Sequence, residues 1–121
     1  MKRAAMKGRR EAVESKCIVV ANEPRSYREA MAVACRVLCP EVEVILAEPV
    51  DLDAEVMRLD PQLVLCSRLT EGLRSGSRAW VVLYPGGEAL AVISVAGHCV
   101  TTGDLGFAAL AAVIDQATGP R

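Results

Sequence analysis

Ser67 comes directly after the apolar run LVLC, Leu63 to Cys66, and directly before Arg68. A serine at a strand tip is a candidate nucleophile, but its hydroxyl is weak without an adjacent base. The single histidine, His98, lies far downstream with no spacing that couples it to Ser67. A second polar group, Asn22 and Glu23, ends the run CIVVA, Cys17 to Ala21, and Arg25 follows it. Asn22, Glu23, Arg25, Ser67 and Arg68 could line one sheet edge, where the two arginines would meet a phosphate or carboxylate. The stretch NEPRS has no glycines for close backbone approach to a phosphate. The plainer reading of Asn22, Glu23 and Ser67 is as polar residues at the wet carboxyl edge of a sheet.

Cysteine offers two further chemistries. Cys66 sits one residue before the strand tip, but Arg68 alone is little reason for a lowered thiol pKa, so a structural cysteine is expected. The five cysteines, Cys17, Cys35, Cys39, Cys66 and Cys99, lack C-x-x-C spacing. Cys35 and Cys39 can share a helix face and His98 adjoins Cys99, yet no second close-spaced pair completes a ligand set. No metal, no cofactor and no enzymatic activity are expected.

The elements that must position these residues follow from the pattern. CIVVA and LVLC are short and apolar on both sides, as central parallel strands are, and VEVILAE (Val42 to Glu48) is a third such run. Ser26 and Glu29 match a capping box, which predicts a helix from Ser26 to Pro40 with Tyr27, Ala30, Met31, Ala34 and Leu38 on one face. Asp51 or Asp53 can cap a short helix carrying Leu52, Val56 and Leu59. Between Ser67 and Ala79 lie only eleven residues, RLTEGLRSGSR, room for at most one helical turn. AWVVLY and ALAVISVA are separated by Pro85, Gly86, Gly87 and Glu88, a connection that joins antiparallel neighbours. A last helix is expected from Asp104 to Ala117, capped by Thr101 and Asp104. The fold class is therefore α/β: a mainly parallel five-stranded sheet, order 2-1-3-4-5, with the last strand antiparallel and the third and fourth helices of the full pattern missing.

At 121 residues the chain suits one domain, and an apolar fraction of 52% with 3% aromatics calls for a core of Val, Leu, Ile and Ala. The net charge of −1 provides no bulk attraction to nucleic acid or acidic lipid. Residues 1–16 carry six basic against two acidic side chains, and the rest has eight arginines against thirteen carboxylates. We read residues 1–16 as a basic N-terminal arm and residues 17–121 as a single α/β domain. No run approaches the ~18 apolar residues of a membrane span and none resembles a secretion signal, so a cytoplasmic location is expected, with no nucleic acid and no membrane as partner.

IVVANEPRSYREAM and DPQLVLCSRL resemble the first strand, acidic pair, first helix and third strand of the receiver domain of bacterial two-component response regulators, which has a flavodoxin-like fold. The resemblance covers about residues 17–70. It places the acidic pair at Asn22 and Glu23, the phosphoacceptor at Ser67 and the switch residue at Tyr84, before Pro85. The family's lysine has no counterpart, because no lysine follows Lys16. Receivers need an acidic pair for Mg²⁺, a carboxylate nucleophile and a cation to pair with the phosphoryl group. One acid of those three survives, so the resemblance implies a degenerate receiver that works by binding, independently of phosphorylation. A sensor of a small anionic ligand at the same edge is the alternative.

Missing helices would bare apolar sheet surface, which monomers rarely tolerate. A homodimer through that face is expected, with Trp80, Val82 and Tyr84 on one strand as its anchors.

Overall fold

The computed structural model describes residues 16–85, 88–103 and 105–119. The apolar runs become strands because parallel pairing buries both faces of each. β1 (Cys17–Ala21) lies between β2 (Glu43–Leu46) and β3 (Leu63–Cys66), and β4 (Ala79–Leu83) adds beyond β3, all parallel. β5 (Ala91–Val95) and β6 (His98–Thr102) follow antiparallel, giving one sheet of order β2-β1-β3-β4-β5-β6. The mainly parallel α/β sheet and the reversal at β5 are as the sequence predicts.

β6 is an addition to that expectation. Ala96 and Gly97 both take positive φ, 54° and 84°, the conformation of a two-residue hairpin turn. Residues assigned from sequence to a loop and a helix cap, Thr101 among them, therefore pair with β5. The last helix starts later, at Phe107, with Gly106 at its N-cap; Asp104 lies outside the described residues, as does the basic segment apart from Lys16. Lys16 Nζ donates to the Thr118 carbonyl across 2.6 Å, tying the chain before β1 to the end of that helix.

Among the described residues four α-helices cover the sheet: α1 (Arg25–Leu38), α2 (Leu52–Leu59), α3 (Glu71–Gly76) and α4 (Phe107–Thr118). The predicted capping box does not form. Pro24 occupies the α1 N-cap without a side-chain cap bond, which moves Ser26 into the first turn. Asp51 stands at the α2 N-cap without a side-chain bond either.

On one face, Ile18, Val20, Leu63, Leu65, Val81 and Leu83 pack against Met31, Ala32 and Cys35 of α1 and Leu110, Val113 and Ile114 of α4. On the other, Val19, Ala21, Val64, Cys66, Trp80 and Val82 pack under Leu52 and Val56 of α2 and Leu73 of α3. This second layer corrects the expectation of a bared face. The segment between β3 and β4 does form a helix, of six residues, and that length delivers Leu73, fully buried, onto the sheet. Trp80 and Val82 are consequently only 6% and 3% exposed, so the surface on which a second copy was expected to sit is occupied by α2 and α3. Tyr84 does not share their face. Its φ of 54° ends the strand's alternation, and its ring rests on Tyr27 with centroids 5.8 Å apart.

Candidate functional site

The carboxyl ends of β1 and β3 meet where an open α/β sheet forms its crevice. The Glu23 backbone N–H donates to Ser67 Oγ across 2.9 Å, joining the two strand tips. Arg68 Nη2 stands 3.7 Å from Glu23 Oε1, a solvent-exposed pair. Glu23, Ser67 and Arg68 line a cleft of about 260 Å³ with Ala21, Pro49 and Val50. The sequence-predicted edge thus gathers three of its members around one cleft.

Three others go elsewhere. Arg25 points along α1 to Glu29, its Nε 3.6 Å from Glu29 Oε2, and is not part of the cleft lining. Tyr84 is held against Tyr27. Asn22 belongs to β1's alternate parity and is fully buried, and neither atom of its side-chain amide has a hydrogen-bond partner among the described residues.

The side chain that organises this edge, Arg28, escaped the sequence reading. It is 6% exposed, donates Nε to the Asn22 carbonyl at 3.1 Å and sets Nη1 3.3 Å from Glu48 Oε2. One guanidinium therefore braces the β1–α1 turn against the residues after β2. Nothing in YREA marks such a residue, because its partners are a backbone carbonyl and an acid twenty positions away.

The far wall of the cleft depends on Thr70. Its hydroxyl accepts the Leu73 amide at 3.0 Å, capping α3, and donates to Asp53 Oδ1 at 2.5 Å. Gly72 completes the joint: a Cβ there would lie 2.8 Å from Asp53 Cγ. A threonine placed three residues before Leu73 was the available signal.

No protein-family model matches this chain, and no curated protein or solved structure matches it either.

What the site can do follows from its own groups. Among the described residues no base bonds to Ser67; its hydroxyl accepts from a backbone amide. His98 is on β6, three strands from β3, beside Ile93, Val95, Val100, Asp115 and Gln116. Burial pushes the Cys66 thiol up to about 12, so it is no nucleophile at neutral pH, and Sγ instead sits 3.8 Å from the Val81 carbonyl. Among the described residues no group of three His, Cys, Asp or Glu side chains could hold a metal ion. The exposed Arg68, the Ser67 hydroxyl and the Glu23 carboxylate are groups that can recognise a polar or charged ligand.

Proposed function

We propose that the chain is a non-catalytic, receiver-like interaction module that acts by binding another protein and does so independently of phosphorylation. The observation that carries this reading is the Glu23–Ser67 hydrogen bond. At the positions that the receiver resemblance assigns to phosphoryl acceptance and metal binding, the Ser67 hydroxyl accepts from the Glu23 backbone amide and the Glu23 carboxylate faces Arg68. A serine hydroxyl in place of the acceptor carboxylate, one acid of the pair and no lysine after Lys16 depart from what receiver phosphorylation uses. Incubation with acetyl phosphate and Mg²⁺, followed by intact-mass measurement, is expected to leave the mass unchanged, and a stable phosphoryl adduct would overturn the proposal.

The same reading puts the protein in the cytoplasm, in keeping with five free cysteines. Among the described residues no helix is long and apolar enough to cross a membrane.

The cleft favours a second reading, a sensor of a small anionic ligand held by Arg68 with the Ser67 hydroxyl. A thermal-shift screen with nucleotides and acidic metabolites separates the two. A saturable rise in melting temperature that Arg68→Ala abolishes would favour the sensor.

A further inference from the structure

The two edges of the sheet are treated differently. At β2, the Glu43 and Ala47 amides bond back to the carbonyls of Lys16 and Val20, so Val44 turns its carbonyl outward. Arg36 Nη2 donates to that carbonyl at 3.3 Å, and Glu43 adds a charge to a strand of four residues. Charge and a capped carbonyl are ordinary means of blunting an edge. β6 has neither. Its sequence HCVTT contains no Asp, Glu, Lys, Arg or Pro, its pairing with β5 runs without a bulge, and all five residues are exposed.

The direction of its free backbone groups follows from the neighbouring ladder. The Tyr84 N–H donates to the Leu90 carbonyl at 2.9 Å, which sets the alternation between β4 and β5. Val92 and Ser94 turn their backbone groups toward β4, and Ala91, Ile93 and Val95 toward β6. Their partners Thr102, Val100 and His98 bond inward, leaving the N–H and C=O of Cys99 and Thr101 directed out of the sheet.

We propose that β6 is a self-pairing edge, by which two copies of this chain join their sheets antiparallel about a twofold axis at Val100. An axis normal to the sheet keeps like faces together and must pass through a residue. Val100 is the residue about which all of His98–Thr102 finds a partner. Centring on Cys99 would instead oppose Thr101 to Gly97, whose φ of 84° is not extended. With the axis at Val100, Cys99 of each copy faces Thr101 of the other, and their outward amides and carbonyls satisfy one another. Val100, 56% exposed in the single chain, meets its own equivalent in a non-hydrogen-bonded pair, where side chains approach most closely. His98 faces Thr102, so no like charges are opposed.

The layer above fits the same axis. Gln116 of α4 lines the groove over Ile93, Val95 and Val100, and Ala109 and Ala112 share its helix face by their spacing. Both alanines are exposed and small, which leaves the second copy room beside β6. The pairing deepens the interaction-module reading and rests on it for its purpose, though not for its geometry.

Sedimentation velocity on the full chain between 1 and 100 µM, a range spanning ordinary micromolar self-association, tests it. The expected species has twice the chain mass of 12.9 kDa. Val100→Lys, which opposes two ammonium groups on the axis, is expected to weaken self-association by at least about tenfold, with the far-UV circular dichroism of the folded chain unchanged. In a Cys99→Ser background, Val100→Cys is expected to form a disulfide-linked dimer under mild oxidation, and Val50→Cys is not. A wild-type monomer throughout the range overturns the proposal; hydrogen-exchange protection of the Cys99 and Thr101 amides in that monomer would assign the edge to residues 1–15 instead. A Val100→Lys protein that stays dimeric, or a Val50→Cys protein that cross-links equally, also overturns it. A phosphoryl adduct would remove the module reading and leave the pairing standing.

Discussion

The Glu23 amide and the Ser67 hydroxyl, 44 residues apart in sequence, are hydrogen-bonded across 2.9 Å and hold the tips of β1 and β3 together. Ser67→Ala is expected to lower stability by about 0.5–1 kcal/mol, the net contribution of a partly solvated hydrogen bond. Urea denaturation with an unchanged m-value checks this. Ser67→Asp is expected to remain unmodified by acetyl phosphate, because a carboxylate alone restores neither the second acid nor the cation.

Arg28→Ala is expected to cost about 2 kcal/mol. It strips the buried Asn22 carbonyl of its donor and Glu48 of its partner together. Glu48→Gln should cost less than about 1 kcal/mol, since the Glu48 side chain is 57% exposed and its charge is screened by water. A melting temperature as low for Glu48→Gln as for Arg28→Ala would show that the ion pair, and not the carbonyl contact, supplies the brace.

Asn22 is a liability in the core as it stands, with both amide atoms buried and unpartnered among the described residues. Asn22→Leu, with the same number of side-chain heavy atoms and the same branch at Cγ, is expected to raise stability by about 1 kcal/mol by removing that desolvation cost. Chemical denaturation showing a loss instead would mean that the amide has a partner in solution.

Gly72→Ala sets the new methyl against the Asp53 carboxylate, with the ideal Cβ 2.8 Å from Cγ. Moving Asp53 breaks its bond from Thr70, so a loss of about 1 kcal/mol is expected in spite of alanine's better helix propensity. In an Asp53→Ala background the same substitution should turn neutral or stabilising. This sign change, measured as a double-mutant cycle, is the check.

Burial pushes the Cys35 thiol up to about 11, with Cys39 adding to the effect, and Cys66 up to about 12, from an ordinary value of 9.0. The folded state therefore binds these protons more tightly than the unfolded chain. Their contribution is intact below about pH 9 and is lost as pH rises toward the folded values, by up to about 1.4 kcal/mol per pH unit for each thiol. Denaturation midpoints measured from pH 8 to about pH 11 should fall more steeply for wild type than for Cys35→Ala/Cys66→Ala. Below that window Cys99, exposed on β6, should react with a thiol reagent long before either buried cysteine.

Much of the fold is legible in local pattern. Runs such as CIVVA and LVLC must be buried on both faces, which makes them central parallel strands, and the few residues between Leu83 and Ala91 leave no room for a crossover, which reverses β5. The polar tips Glu23, Ser67 and Arg68 follow from where those runs end. Period and connection length are properties of neighbours in the chain, and the sequence by itself determined whatever depends on them. Tertiary structure decided the rest. Whether a short helix reaches far enough to bury Trp80 depends on Leu73 meeting α2 across the sheet. The aim of Tyr84 depends on a positive φ that its residue type does not announce. Arg28 is buried because a carbonyl just after β1 and a carboxylate just after β2 converge on it, and β6 exists because Ala96 and Gly97 turn HCVTT back onto β5. Each of these is a contact between segments distant in sequence, or a backbone state stabilised by such contacts, and only the folded chain brings those segments together.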